Sequence, residues 1–349
     1  MSAVAVRVPG HQGTPAWLDA RRDVIGSSDI PVITGNSPYR TSLFSLWAVK
    51  TRLAEPEPID PETQEMFDLG HAMEDVIAAR YSLIKDRPVK RVRDLLVSKA
   101  DPRMGASLDR VSARKGERRI IEVKWVPHKR WYTDGPEPVP AHVQDQVQWQ
   151  FAVSGIDVAD VAVLNGSHVE VHQLEVSDRY ITDLRYLAKH LFWEHVDRGE
   201  APPVDGTEST RATLGRMYPA ERLGLLDPTP ELAALAFRIR DAKAAAKAAE
   251  LAKGEPENVM RSLLGEASGV RDDDAGYRVS WTKNADGTKT DWKAVAAAYR
   301  AFLLSGDEPP PDTNGPDFLA SIEALHTTET TGARVLRTYF RDEETGKWL

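Results

Sequence analysis

Two short runs constrain this chain more than anything else in it: GASLDRVS (105–112) and RRIIEVKW (118–125). In the second, Glu122 and Lys124 interrupt an otherwise apolar strand. Alternate residues of a strand share a face, so Glu122 and Lys124 project with Ile120, while Ile121, Val123 and Trp125 face the other way. Charges in a strand this apolar mark a central strand whose charges need partners or a role. The connection ARKGER centres between Lys115 and Gly116, and a symmetric hairpin there sets Asp109 directly opposite Glu122. Their Cβ atoms would then lie about 5 Å apart. Like charges so placed are destabilising unless something neutralises them. A divalent cation does so, because hard cations prefer carboxylate oxygens, and Lys124 can add charge and position a water. A solvated surface hairpin, or neutralisation by Lys124 or Arg110, is the plainer alternative.

The surroundings of this hairpin read as mixed α/β. Residues 1–16 are expected to be a loose arm. A short helix from Trp17, a turn, and a second helix opened by Ser27-Ser28-Asp29 follow, then a helix over 42–52. The segment 62–86 carries Met66, Leu69, Met73, Val76, Ile77 and Ile84 at helical spacing. Glu74 lies on the edge of that stripe, facing the room left by Gly70, and Asp75 lies on its more exposed side. Strands are predicted over 89–98, 103–112 and 119–126, and a helix over 141–154. Two more strands, 158–164 and 168–176, are joined by Asn165-Gly166, and a helix capped by Ser177 or Asp178 reaches residue 198. A linker-like stretch, GEAPPVDGTEST, separates this core (17–204) from an extension (205–349). The extension combines an Ala/Lys/Glu-rich helix, broken at Gly254 and Pro256, with a small α/β piece.

The net charge of −8 conceals an uneven distribution. Between Lys85 and Arg130 there are 15 Lys and Arg against 6 Asp and Glu, so the remainder carries −17. A basic middle in an acidic chain is an electrostatic footprint for phosphate, or a solvated charged hairpin. The chain has no cysteine, which excludes disulfides, a Cys nucleophile, thiolate zinc sites and Cys-held iron–sulfur clusters. No apolar run reaches the ~18 residues of a membrane span, and the first residues lack the apolar region of a secretory signal. A cytoplasmic protein without membrane partners is expected.

Two further clusters carry polar chemistry. The helix VQDQVQWQFAVSG puts Gln144 and Gln148 on one face at i, i+4, with Gln146 off it. Such amides can bridge phosphate oxygens and water, or simply form a polar face. Near the N-terminus, Arg21 or Arg22 precedes IGSSDI, where Ser27 and Ser28 at a helix start suit an anion. Plain N-capping accounts for the same residues.

Taken in order, these pieces resemble the YqaJ-type viral recombinases, the lambda exonuclease-like branch of the PD-(D/E)xK nucleases. The matching series is W-x3-R-x3-IGSSDI (17–30), NSPY…LW (36–47), LGHAMEDVIAARY (69–81), GASLDRV (105–111), IIEVKW (120–125) and QDQVQWQFAVSG (144–155). It covers about residues 15–198. The resemblance implies a restriction-endonuclease-like core that hydrolyses DNA from linear duplex ends, 5′→3′, with Mg2+ or Mn2+. It implies that Asp109, Glu122, the Val123 carbonyl and Glu74 hold the metal. Lys124 would activate the attacking water, and Gln148 would support the site, with Gln144 or Gln146 as rivals. It also implies that Arg21 and Ser28 hold a 5′-terminal phosphate. Arg22 and Asp23 replace an apolar–Gly pair common after that Arg, and Leu108 replaces the usual proline, which supplies no ligand. A single-strand annealing partner, a ring-shaped homo-oligomer and, for a phage-encoded chain, the host bacterial cytoplasm are implied as well. An endonuclease of the same fold and a non-catalytic DNA-end-binding module are the rival readings.

Overall fold

The computed structural model describes residues 4–8, 12–39, 41–114, 116–126, 138–221, 224–305 and 315–341. The chain divides into two compact units, Met1–Gly224 and Leu225–Leu349. The first runs β1 (Ala5–Val8), α1 (Pro15–Arg22), α2 (Ile30–Thr34), α3 (Leu43–Lys50), α4 (Pro61–Lys85), β2 (Val89–Arg91), β3 (Leu95–Ser98), β4 (Gly105–Ala106), β5 (Arg110–Arg114), β6 (Glu117–Val126) and α5 (Ala141–Ser154). It continues through β7 (Val158–Asn165), β8 (His168–Glu175), α6 (Asp178–Leu187), a π-helical turn (Ala188–Trp193), α7 (Glu194–Arg198) and α8 (Glu208–Met217).

The main sheet has the order β2-β5-β6-β7-β8. Only β6 and β7 are parallel, because α5 carries the chain back between them. A small antiparallel sheet, β1-β3-β4, lies apart from it. Alternation along β6 divides the core as the sequence requires. Ile120 and Val126 join the main core with Val143 and Val147 of α5. Ile121 and Val123 pack on the opposite face with Ile77 and Tyr81 of α4. Each such buried side chain contributes about 1.5–3 kcal/mol.

Several expectations are corrected. The predicted strands 89–98 and 103–112 each break in two, at Val92–Asp94 and Ser107–Asp109, because β2 and β5 belong to the main sheet while β3 and β4 pair in the small one. The passage is tight: a Cβ on Gly105 would stand 2.5 Å from Val24 Cγ2. The supposed loose arm contributes β1, paired in register with β3 from Ala5↔Ser98 to Val8↔Leu95. The apolar stripe of α4 is mostly not core. Met66, Leu69, Val76 and Ile84 are exposed, since the sheet meets only the row Met73–Ile77–Tyr81. The β7–β8 loop is Gly166-Ser167, one residue beyond the expected turn, with Gly166 at φ 62°. The compact unit also continues past residue 204. Thr207 caps α8, and α8 binds α3 through Thr210–Ser42, Ser209–Ser45 and Thr213–Ser45 hydrogen bonds of 2.8–2.9 Å.

The second unit holds α9 (Pro230–Leu264), β9 (Gly269–Asp272), β10 (Tyr277–Lys283), β11 (Gly287–Thr290), α10 (Trp292–Ser305), α11 (Gly315–Leu325), β12 (Thr327–Thr330) and β13 (Arg334–Phe340). It has one sheet of order β13-β10-β9 and a β11–β12 pair. Its α9 runs unbroken through Gly254 and Pro256, where a break was expected. Half of the expected hairpin centre (Lys115), half of the predicted 135–140 loop (135–137) and most of the 306–316 loop (306–314) lie outside the described residues. Among the described residues no helix is long and apolar enough to cross a membrane.

Candidate active site on the central strands

The β5–β6 pairing runs Arg110↔Ile121, Val111↔Ile120 and on to Arg114↔Glu117, with Gly116 in the left-handed region at φ 84°. Asp109, one residue before β5, therefore arrives beside Glu122 as the hairpin symmetry requires. The Val123 N–H donates to Asp109 Oδ2 at 2.9 Å. Asp109 Oδ1 takes no hydrogen bond from a described residue. A strand residue sends its N–H and C=O to the same side, so the Val123 carbonyl leaves β6 towards Asp109. Glu122 is 1% exposed. Its Oε1 accepts from Lys124 Nζ and Gln146 Nε2, both at 2.7 Å, and its Oε2 from Gln150 Nε2 at 2.8 Å. Burial, then the charge of Glu122, pushes the Asp109 carboxyl above its ordinary range; Lys124 and the Val123 N–H pull it only partly back.

The glutamine face differs from expectation. Gln146 and Gln150, not Gln144 and Gln148, reach Glu122. Gln148 donates to the Glu175 carbonyl at 2.8 Å and accepts from Ser177 N at 2.9 Å, joining α5 to the β8–α6 junction. Gln144 donates to the Val139 carbonyl at 2.7 Å. The phase of α5 was ambiguous because nearly all of the helix is buried, from Val143 through Val153. The i, i+4 spacing was no guide, because Gln144 and Gln148 share it with Gln146 and Gln150. A paired substitution tests the assignment. Gln150→Ala is expected to lower nuclease turnover about tenfold or more by freeing Glu122 Oε2. Gln148→Ala should change turnover less than twofold and cost only about 1 kcal/mol of stability. Equal turnover losses would refute the assignment.

Glu74 does not join the two acids. It lies near enough to raise Asp109 further, yet its Oε2 is taken by Arg110 at 3.2 Å and Arg91 at 3.5 Å. Arg110, 3% exposed along its side chain, also holds Asp75 at 2.6 Å. A Cβ at Gly70 would meet nothing within 4 Å, so no described group makes the close approach anticipated there. Among the described residues, no three His, Asp or Glu side chains cluster as a metal-holding group. The donor set that fits a hard cation is smaller: the undonated Oδ1 of Asp109, the Glu122 carboxylate and the Val123 carbonyl. Two adjacent carboxylates, one pushed above its ordinary range by burial and then by the other's charge, are what such a cation relieves.

Arg21 and Ser28 do meet, Nη2 to Oγ at 2.7 Å, with the Arg21 guanidinium 4.7 Å above the Trp17 ring. Arg22 instead pairs with Glu55. The basic segment is largely spent on internal pairs: Arg87–Glu117, Arg114–Asp86, Arg119–Asp160 and Arg103–Asp197. Lys85, Lys90, Arg93, Lys99 and Arg118 are exposed and make no ion pair among the described residues, so any phosphate track is narrower than the charge count suggested.

Residues 16–157, which contain this whole arrangement, match the family profile described as the YqaJ-like viral recombinase domain. The match spans 142 of the chain's 349 residues, so this part of the chain is similar to that domain. The chain is also 29% identical over 205 residues to the uncharacterized protein YqaJ of Bacillus subtilis (strain 168), a match spanning 58% of this chain and 62% of YqaJ. Among solved structures, LHK-Exo in complex with dAMP aligns at 18% identity and a TM-score of 0.42, over 53% of this chain and 94% of that one. LHK-Exo from Laribacter hongkongensis, an alkaline exonuclease, aligns alone at 19% and 0.41 over the same shares. Within the matched residues, the mixed sheet carries α4 and α5 on opposite faces.

Proposed function

We propose that the chain is a metal-dependent DNA nuclease that shortens linear duplexes from their ends, 5′→3′, in phage-type recombination. The observation that carries this reading is the Asp109–Glu122–Lys124 group within the part of the chain similar to the YqaJ-like domain, with the buried Glu122 fixed by Gln146 and Gln150. A buried carboxylate held this rigidly, beside the half-buried Asp109 and a lysine on the same strand face, forms a preorganised electrostatic site. Asp109, Glu122 and the Val123 carbonyl would hold Mg2+, or Mn2+ in its place, which supplies Lewis acidity at the scissile phosphate and a more acidic water when bound.

The remaining roles belong to the chain. Lys124 orients the attacking water and balances charge developing on the phosphate. Gln146 and Gln150 keep Glu122 in one rotamer, so no reorganisation is needed at the moment of reaction. Arg21 and Ser28 receive the terminal 5′-phosphate, and the exposed Lys90, Arg93 and Arg118 meet the backbone without reading sequence. A single-strand annealing protein and a ring of like chains remain part of this proposal as partners.

The test compares linear duplexes with covalently closed circles, in Mg2+ or EDTA, with either strand labelled. Shortening of the 5′-ended strand in linear DNA alone, abolished by EDTA, is expected. Rapid cutting of circles would assign an endonuclease instead, and end binding without hydrolysis would assign an adaptor.

A further inference from the structure

Lys50 is the last residue of α3 and is 8% exposed. A buried lysine is costly unless its charge and all its donors are satisfied, and here they are. Its Nζ donates to the Arg21 carbonyl at 2.7 Å, the Val24 carbonyl at 2.7 Å and Asp29 Oδ2 at 2.6 Å. These acceptors run from the last turn of α1 (Arg21) through the connection to α2 (Val24, Asp29). Asp29 Oδ2 also accepts from the Gly26 N–H at 2.7 Å, and Asp29 Oδ1 lies 3.9 Å from Arg21 Nη2. Burial alone would push the Asp29 carboxyl up, but Lys50 and Arg21 overcome this and hold it below its ordinary range.

The loop tied down in this way presents the Arg21 guanidinium and the exposed Ser28 hydroxyl, while Ser27 is buried. The two presented groups meet at 2.7 Å. The backbone N–H groups of Ser27 and Ser28 donate to no described residue. Helix α2, at five residues, is too short to provide this by its dipole. The convergence depends on the loop, and the loop depends on Lys50. Asp29 serves the opposite end: without Lys50, its charge would be balanced by Arg21 alone, drawing the guanidinium away from Ser28.

We propose that Lys50 is a positioning residue for recognition of a terminal phosphate: its buried ammonium satisfies Asp29 and clamps the 21–29 loop, leaving Arg21 and Ser28 available to the ligand. This rests on the reading of Arg21 and Ser28 as the phosphate holders. It predicts that specificity for the end group, rather than the chemical step, is what Lys50 controls.

The test uses the full chain and duplexes bearing 5′-phosphate or 5′-hydroxyl ends, measuring KM and kcat for each, with Arg21→Ala as the reference for losing the phosphate contact. Wild type is expected to prefer 5′-phosphate in KM. Lys50→Met should reduce that preference about tenfold or more, the scale of one lost charge-assisted contact, mainly through KM. Gly26→Ala provides a gentler disturbance of the same clamp, since its Cβ would come 3.2 Å from Asp29 Oδ2; it should lower the preference part-way, whether or not Lys50→Met folds. A wild-type preference lost in Arg21→Ala but intact in a folded Lys50→Met, or intact in Gly26→Ala if Lys50→Met does not fold, overturns this proposal alone. A wild type with no preference overturns the phosphate reading and this proposal with it.

Discussion

Glu122→Gln is expected to reduce nuclease turnover by at least about a thousandfold, the scale of losing a preorganised electrostatic group from a buried site. The shape is conserved, so the loss would come from charge and donor sense. All three neighbours of this carboxylate, Lys124, Gln146 and Gln150, point donors at it. An amide there must turn its own N–H2 towards at least one of them. That donor-to-donor contact costs about 1–3 kcal/mol, and relief of the repulsion with Asp109 offsets part of it. The variant should therefore remain folded while losing activity. Turnover of an end-labelled linear duplex, read beside the thermal midpoint of the same preparation, decides the matter. Turnover within tenfold of wild type in a folded variant would remove Glu122 from the reaction.

The largest stability effect is expected at Asp145. It is 1% exposed and accepts from Thr34 Oγ1 at 2.6 Å, Asn36 Nδ2 at 2.9 Å and Tyr180 OH at 2.7 Å. These donors come from α2, the loop after it and α6, so one carboxylate ties three parts of the chain to α5. Burial, then the bond to Asp145, raises the Tyr180 hydroxyl above its ordinary pKa. Asp145→Ala removes an acceptor from all three: the half-buried Tyr180 hydroxyl loses its partner, Thr34 keeps only the Pro31 carbonyl at 3.3 Å, and the exposed Asn36 turns to water. The substitution is expected to cost about 3 kcal/mol, whereas Asp145→Asn keeps a carbonyl oxygen and should cost less. Urea unfolding followed by tryptophan fluorescence measures both. An unchanged midpoint in the alanine variant would show that the network contributes nothing net.

What could be read from the sequence follows the range of the interactions concerned. The Asp109–Glu122 juxtaposition was legible because a tight hairpin with Gly116 at its turn fixes its own register, and period-2 alternation then fixes the faces. Helix boundaries at Ser42, Ser177 and 141–154 were legible because caps and glycines are local signals. The occupancy of Glu74 was not, since its partners Arg91 and Arg110 belong to strands whose position against α4 is tertiary. The apolar residues of α4 gave a helical period but not how much of the helix would meet the sheet. The helix α5 gave no phase because it is buried on nearly every side, so Gln148 was favoured over its rival Gln146, and Gln150 was not singled out. The four residues of β1 have a partner, β3, some ninety positions away, which no local pattern announces.

The acids, the lysine and the amides that fix Glu122 all lie between Asp109 and Gln150, on one hairpin and the helix after it. Contacts this close in sequence require little loop-closure entropy and form early. On a chain emerging from the ribosome, the centre can assemble before residues 225–349 have been synthesised, and its formation does not wait for the second unit. Domains fold as they emerge in this way; for this chain, the carboxylate centre lies in the unit that is synthesised first.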